Sequence, residues 1–113
     1  MKLLNKITSA ARQKFRIIGE NGERIDFFLT FMPTQSAWMF NVSWDDFTLN
    51  GAVLTLSPNC LRGFKNNIPF GIACVSDDSI EPSFVDDFST GRVRLFLLNA
   101  EDVQTVEESL FLP

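Results

Sequence analysis

The sequence predicts a mainly β fold, a small antiparallel β-sandwich or barrel with a short C-terminal helix, in one domain over residues 1–113. Three observations carry this. Apolar and polar residues alternate with a period of two through most of the chain. Turn-forming pairs such as Asn21-Gly22, Asp45-Asp46 and Asn50-Gly51 punctuate the alternation at intervals of about ten residues. The chain is also long enough to bury a core without staples, and its two cysteines, Cys60 and Cys74, cannot form a disulfide framework.

Residues 1–11 form an N-terminal arm for which two conformations stay open. Leu3, Leu4, Ile7 and Ala11 suit one face of a helix, while Thr8 and Ser9 weaken it and leave an arm lying on a neighbour as the other reading. From Gln13 the strand pattern is steady, with Phe15 and Ile17 opposite Lys14 and Arg16. Asn21-Gly22 then supplies a hairpin turn, because both residues tolerate positive φ. The next strand, 23–32, turns Ile25, Phe27, Leu29 and Phe31 one way. Phe28 and Met32 interrupt its polar face and are candidates for contact with another subunit. Pro33 ends that strand. A third strand, 37–44, aligns Trp38, Phe40, Val42 and Trp44 as a core stripe, with a carbohydrate platform as the alternative use of such a face. Asp45-Asp46 and Asn50-Gly51 bracket a reversal around Phe47, after which 52–57 reads as the fourth strand and 58–63 as a connecting loop.

Residues 70–99 form the most distinctive stretch. An apolar strand, 70–75, enters a loop carrying Asp77, Asp78, Glu81, Asp86 and Asp87, and a strand over 91–98 returns from it. Val93, Leu95 and Leu97 share one face, and Arg92 and Arg94 share the other with Phe96 and Leu98. Two planar guanidinium groups therefore stand next to a carboxylate-rich loop, a pairing that suits Arg better than Lys. Asn99 is placed to cap a helix over 99–110, with Glu101 and Asp102 at its positive end. The final residues, Leu110-Phe111-Leu112-Pro113, are apolar, and Phe111 is a further contact candidate.

Composition excludes several function classes. The net charge is −4 and the basic residues are scattered, which argues against nucleic-acid binding. No stretch is long and apolar enough to span a bilayer, and the N-terminus lacks the apolar run of a signal peptide. There is no histidine, so the commonest general base and the commonest transition-metal ligand are both missing, and no nucleophile motif or glycine-rich phosphate loop is present. No catalytic residue, metal site or cofactor is expected. The acidic pairs could hold calcium, but the spacing of a calcium-binding loop is absent and Arg92 and Arg94 can neutralise the carboxylates themselves. With twelve Phe and no Tyr, more rings are present than so small an interior is expected to hold, a hint of an assembled protein.

In its last third the chain resembles the baseplate plug proteins of contractile-tailed bacteriophages, first recognised in a cyanophage. The resemblance rests on the run from Asp78 to Asp87 with Pro82 and Phe84 inside it, on Gly91-Arg92-Val93-Arg94-Leu95-Phe96, and on Asn99-Ala100-Glu101-Asp102. Upstream it continues through Gln13-Lys14-Phe15-Arg16-Ile17, the Gly22 turn and the Trp38 strand, and it spans residues 8–106. It implies a structural protein of the virion, assembled in the host bacterial cytoplasm, that plugs the inner baseplate against the hub-spike and tail-tube proteins, with a symmetric ring of its own copies as a further partner. The family carries over no functional residue. The contact candidates Asp77, Asp78, Glu81, Asp86, Asp87, Arg92, Arg94, Phe28, Met32 and Phe111 come from the residues themselves. The alternative is a free-standing calcium- or carbohydrate-binding β module built on the Trp38 face.

Overall fold

Alternation in the first half of the chain becomes a four-stranded antiparallel meander, β2 (Arg12–Ile18), β3 (Arg24–Met32), β4 (Ala37–Trp44) and β5 (Phe47–Val53), in that spatial order. The computed structural model describes residues 1–111, and side chains through residue 109. A second sheet, ordered β1-β7-β6, combines β1 (Lys2–Leu3), β6 (Gly71–Ser76) and β7 (Val93–Leu98). The two sheets face each other as an open sandwich.

Between them lies an aromatic core. Phe27 and Phe40 stack with centroids 5.6 Å apart and planes 5° apart, and Phe15 stacks on Phe27 at 5.4 Å. Trp38, fully buried, meets Phe31 and Phe88 edge-on. The core stripe expected for 37–44 is therefore core, and Trp38 offers no platform to a sugar. The described Phe rings do not all lie inside. Phe27, Phe40, Phe70 and Phe88 are buried, Phe15, Phe28, Phe31, Phe47, Phe64 and Phe96 are half-buried, and Phe84 is exposed.

Of the two conformations open to the arm, the helix is not taken: its first residues pair as β1 with β7, Lys2 opposite Leu97, and the Leu4 amide donates to the Leu95 carbonyl at 2.9 Å, which seats Leu4 in the core. Two local expectations are corrected. The first hairpin does not place both Asn21 and Gly22 at positive φ. The Gly22 amide closes a turn on the Gly19 carbonyl and only Gly22 is left-handed, at φ 85°, so a three-residue loop links the strands. Finally, β5 begins at Phe47, directly after a two-residue Asp45-Asp46 turn that pairs Trp44 with Phe47. Asn50-Gly51 is a bulge inside that strand, where the Asn41 side chain accepts from the Gly51 amide.

Residues 54–70 cross from one sheet to the other and cover the outer edge of β6. Ser57 and Cys74 exchange backbone hydrogen bonds, and the Cys60 amide donates to Ile72. The buried Asn59 side chain accepts from the Leu61 and Ile72 amides and packs so closely on Gly71 that a Cβ there would lie 2.6 Å from Asn59 Oδ1. A 3-10 turn over Arg62–Phe64 lies within this crossover. Burial pushes the Cys60 thiol up to about 12 and the Cys74 thiol higher still, which favours the protonated thiol at both.

Helix α1 (Ala100–Val106) starts as expected: Asn99 Oδ1 accepts from the Asp102 amide and Asp102 Oδ2 from the Asn99 amide, a capping box. It lays Val103 and Val106 on Ala73, Phe96 and Leu98, covering the outer face of the β1-β7-β6 sheet. The segment Glu107–Phe111 continues as a π-helix, and Glu107 pairs with Arg62 and Lys65. The side chains of Leu110 and Phe111, and all of Leu112 and Pro113, lie outside the described residues.

Because Phe27 is fully buried at the centre of the stacked rings, Phe27→Ala should cost about 3–5 kcal/mol in chemical denaturation, the usual range for truncating a core Phe.

Candidate functional site: the acidic loop

The loop joining β6 to β7, residues 77–92, is built on one guanidinium. Arg92, with 18% of its side chain exposed, donates through Nε to Asp87 Oδ1 and through Nη1 to Asp78 Oδ1, each at 2.8 Å. It also donates to the Ile80 carbonyl at 3.0 Å and, through Nη2, to the Glu81 carbonyl at 3.1 Å. Four hydrogen bonds therefore hold both ends of the loop and its middle to one planar group. The same guanidinium lies 5.6 Å from the centroid of the Phe84 ring, a cation–π contact.

Asp87 is the counterpart inside the loop. Its side chain is 2% exposed, and the oxygen not used by Arg92 accepts from the Ser83 and Phe84 amides at 2.7 and 2.9 Å. Burial pushes this carboxyl up, but the hydrogen bonds from Arg92, Phe84 and Ser83 outweigh it, so the group titrates below the usual carboxylate range. Asp78 is also held low, first by the Ile80 amide and then by Arg92. Arg92 is pushed up by its bond to Asp87.

The loop is fastened to the rest of the fold at two further points. Trp38 Nε1 donates to the Phe84 carbonyl at 3.0 Å, and the Glu81 carboxylate accepts from the Leu56 amide. Phe88, at the base of the loop, packs on Trp38. A buried indole is thus satisfied by the loop it supports.

The expected candidates therefore separate. Asp78, Glu81, Asp87 and Arg92 are brought together and bonded to one another or to backbone. Arg94 makes an exposed pair with Asp77 at 2.9 Å. Asp86 has no ion-pair partner among the described residues. Phe28 and Met32 lie on the outer face of the other sheet, half-buried, and the Phe111 side chain falls outside the described residues. Among the described residues no three Asp, Glu, Cys or His side chains are grouped to hold a metal ion. What residue-by-residue reading missed is the loop's surface: Ile80, Phe84 and Val85 are exposed, Phe84 by 58%. Three large apolar residues among acidic and turn residues are the signal that could have found them.

A family model described as cyanophage baseplate Pam3 plug gp18 matches residues 1–101. The chain belongs to the cyanophage baseplate plug family. The match takes in both sheets and the whole Arg92-centred loop, and it identifies the chain as a viral structural protein of the phage tail baseplate. No curated protein matches the chain. Within this plug, the two arginines of the run Arg92-Val93-Arg94 do different work: the first assembles the loop, the second makes a surface pair.

Two outcomes are expected. Arg92→Met leaves the buried Asp87 carboxylate unpaired and should cost about 3–5 kcal/mol in chemical denaturation, whereas Arg94→Met should cost less than about 1 kcal/mol. Asp87 and Asp78 hold protons less tightly in the folded loop than in the unfolded chain. Their stabilisation is therefore complete above the ordinary carboxylate pKa of about 4 and is lost as pH falls through the depressed folded values. Denaturation midpoints measured from neutral to acidic pH should fall below that point, and Asp87→Asn should flatten the fall.

Proposed function

We propose that the protein is a non-catalytic plug of the inner baseplate, packed against the hub-spike and tail-tube proteins at the distal end of the tail tube and assembled there in the host cytoplasm. The observation that carries this is the family match over residues 1–101. The chemistry supports it. Among the described residues Asp78, Glu81 and Asp87 are engaged by Arg92 or by backbone amides, and the sequence has no histidine to serve as a general base.

The surface toward hub and tube is the outer face of the four-stranded sheet. Helix α1 covers the corresponding face of the other sheet, but nothing among the described residues covers this one. On it Phe28 and Met32 from β3 join Met39 and Val53, which are paired across β4 and β5. Lys14, Asn41 and Asp26 surround them, so the face has the apolar centre and polar rim of a protein contact.

Cross-linking mass spectrometry on whole particles tests the assignment. Links from Lys2, Lys6, Lys14 or Lys65 to hub, spike or tube proteins are expected, and absence of the chain from purified particles would contradict it. Phe28→Glu should leave the denaturation midpoint of the isolated chain near its original value while reducing its amount in particles. Undiminished incorporation would remove this face from the contact.

A further inference from the structure

The sandwich is closed along one side by residues 54–70 and open along the other. On the open side, the arm at residues 2–6 and strand β2 line a groove. Leu4 and Ile17 are buried at it, Phe15 is half-buried, and Leu3 and Ile18 stand about half exposed. Both bordering strands, β1 and β2, are edges of their sheets, and their outward backbone groups have no strand beside them.

Charge is divided between this groove and the acidic loop. The groove is lined by the basic residues Lys2, Lys6 and Arg16 and by no acidic residue. Of these only Arg16 has an ion-pair partner, Asp26, among the described residues. The loop has the complementary character: exposed Ile80, Phe84 and Val85, with the unpaired Asp86 beside them and Asp78 and Glu81 exposed at the same turn. One surface is an apolar knob with an acidic rim, the other an apolar groove with a basic rim.

The loop leaves β7 at Val93 and is held to Trp38 through the Phe84 carbonyl and Phe88, while the groove runs between β1 and β2 from Lys2 and Ile18 to Lys6 and Phe15. In the folded chain the knob is exposed and the groove open, so neither fills the other. We infer that the acid-rimmed tip of one copy seats in the basic groove of a second copy, a head-to-tail contact that leaves a free knob and a free groove at the ends of every pair and so propagates into a ring or an open chain. The contact is read from this chain alone and stands apart from its place in the particle.

Sedimentation velocity on the full chain tests it. The unaltered chain should associate with rising concentration, less so in high salt, because rim charges are screened. Phe84→Arg should remain monomeric, as should Ile18→Glu. Both positions are exposed, and circular dichroism serves as the check that each variant is folded. Mixed in equal amounts, the two variants should form a dimer and nothing larger, because the intact groove of the first accepts the intact knob of the second and both remaining surfaces are blocked. Lys6→Glu with Asp86→Lys, each weak alone, should pair when mixed. A chain that stays monomeric at every concentration would overturn the inference and leave the groove to a different protein. So would association that survives one substitution, or a mixture of variants that stays monomeric.

Discussion

The acidic loop depends on the Arg92–Asp87 pair. A carboxylate and a guanidinium taken largely out of water stabilise little unless the geometry satisfies nearly every lone pair and donor, and here it does. Asp87 uses one oxygen for Arg92 and the other for two backbone amides, while Arg92 spends three of its four remaining donors on Asp78 and on the carbonyls of Ile80 and Glu81. The result is order in a segment that carries five acidic residues and would otherwise repel itself. Asp87 acts inward, and the outward surface of the loop is left to Phe84, Ile80 and Val85 with exposed carboxylates beside them.

The two sheets then have different surroundings. The β1-β7-β6 sheet is covered on both faces, by the core and by α1, which is why β6 is almost wholly buried and why Leu98, on the face opposite Leu97, is also inaccessible. The four-stranded sheet is covered on one face alone. Its outer face, the loop tip and the open groove are described surfaces on which a small plug can meet neighbours; the first has a rim of mixed charge, the second an acidic rim and the third a basic one.

Much of this was legible in the sequence. Period-two alternation located β2, β3, β4, β6 and β7, and the Asn99-Ala100-Glu101-Asp102 run located the helix cap, because these signals rest on local sterics and local hydrogen bonds. The misread elements are those where two local signals compete. Asp45-Asp46 and Asn50-Gly51 both look like turns, and only cross-strand pairing shows that the second is a bulge within β5. The arm at Lys2–Leu3 is extended because β7 offers it an edge, which no window of the arm itself encodes. Alternation put Arg92 and Arg94 on one face but could not separate them. Their difference arises from Asp87, brought beneath Arg92 by a turn whose position is set by Trp38 and Phe88.

Hydrogen exchange of the isolated chain tests most directly the claim that the loop is built in advance as a rigid contact surface. The Ser83 and Phe84 amides, which donate to Asp87, and the Leu56 amide, which donates to Glu81, should exchange slowly, with protection approaching that of β3 and β4. Exchange of these amides at the rate of an unstructured peptide, with β3 and β4 still protected, would contradict the account and make the loop a segment that orders only on contact with a partner.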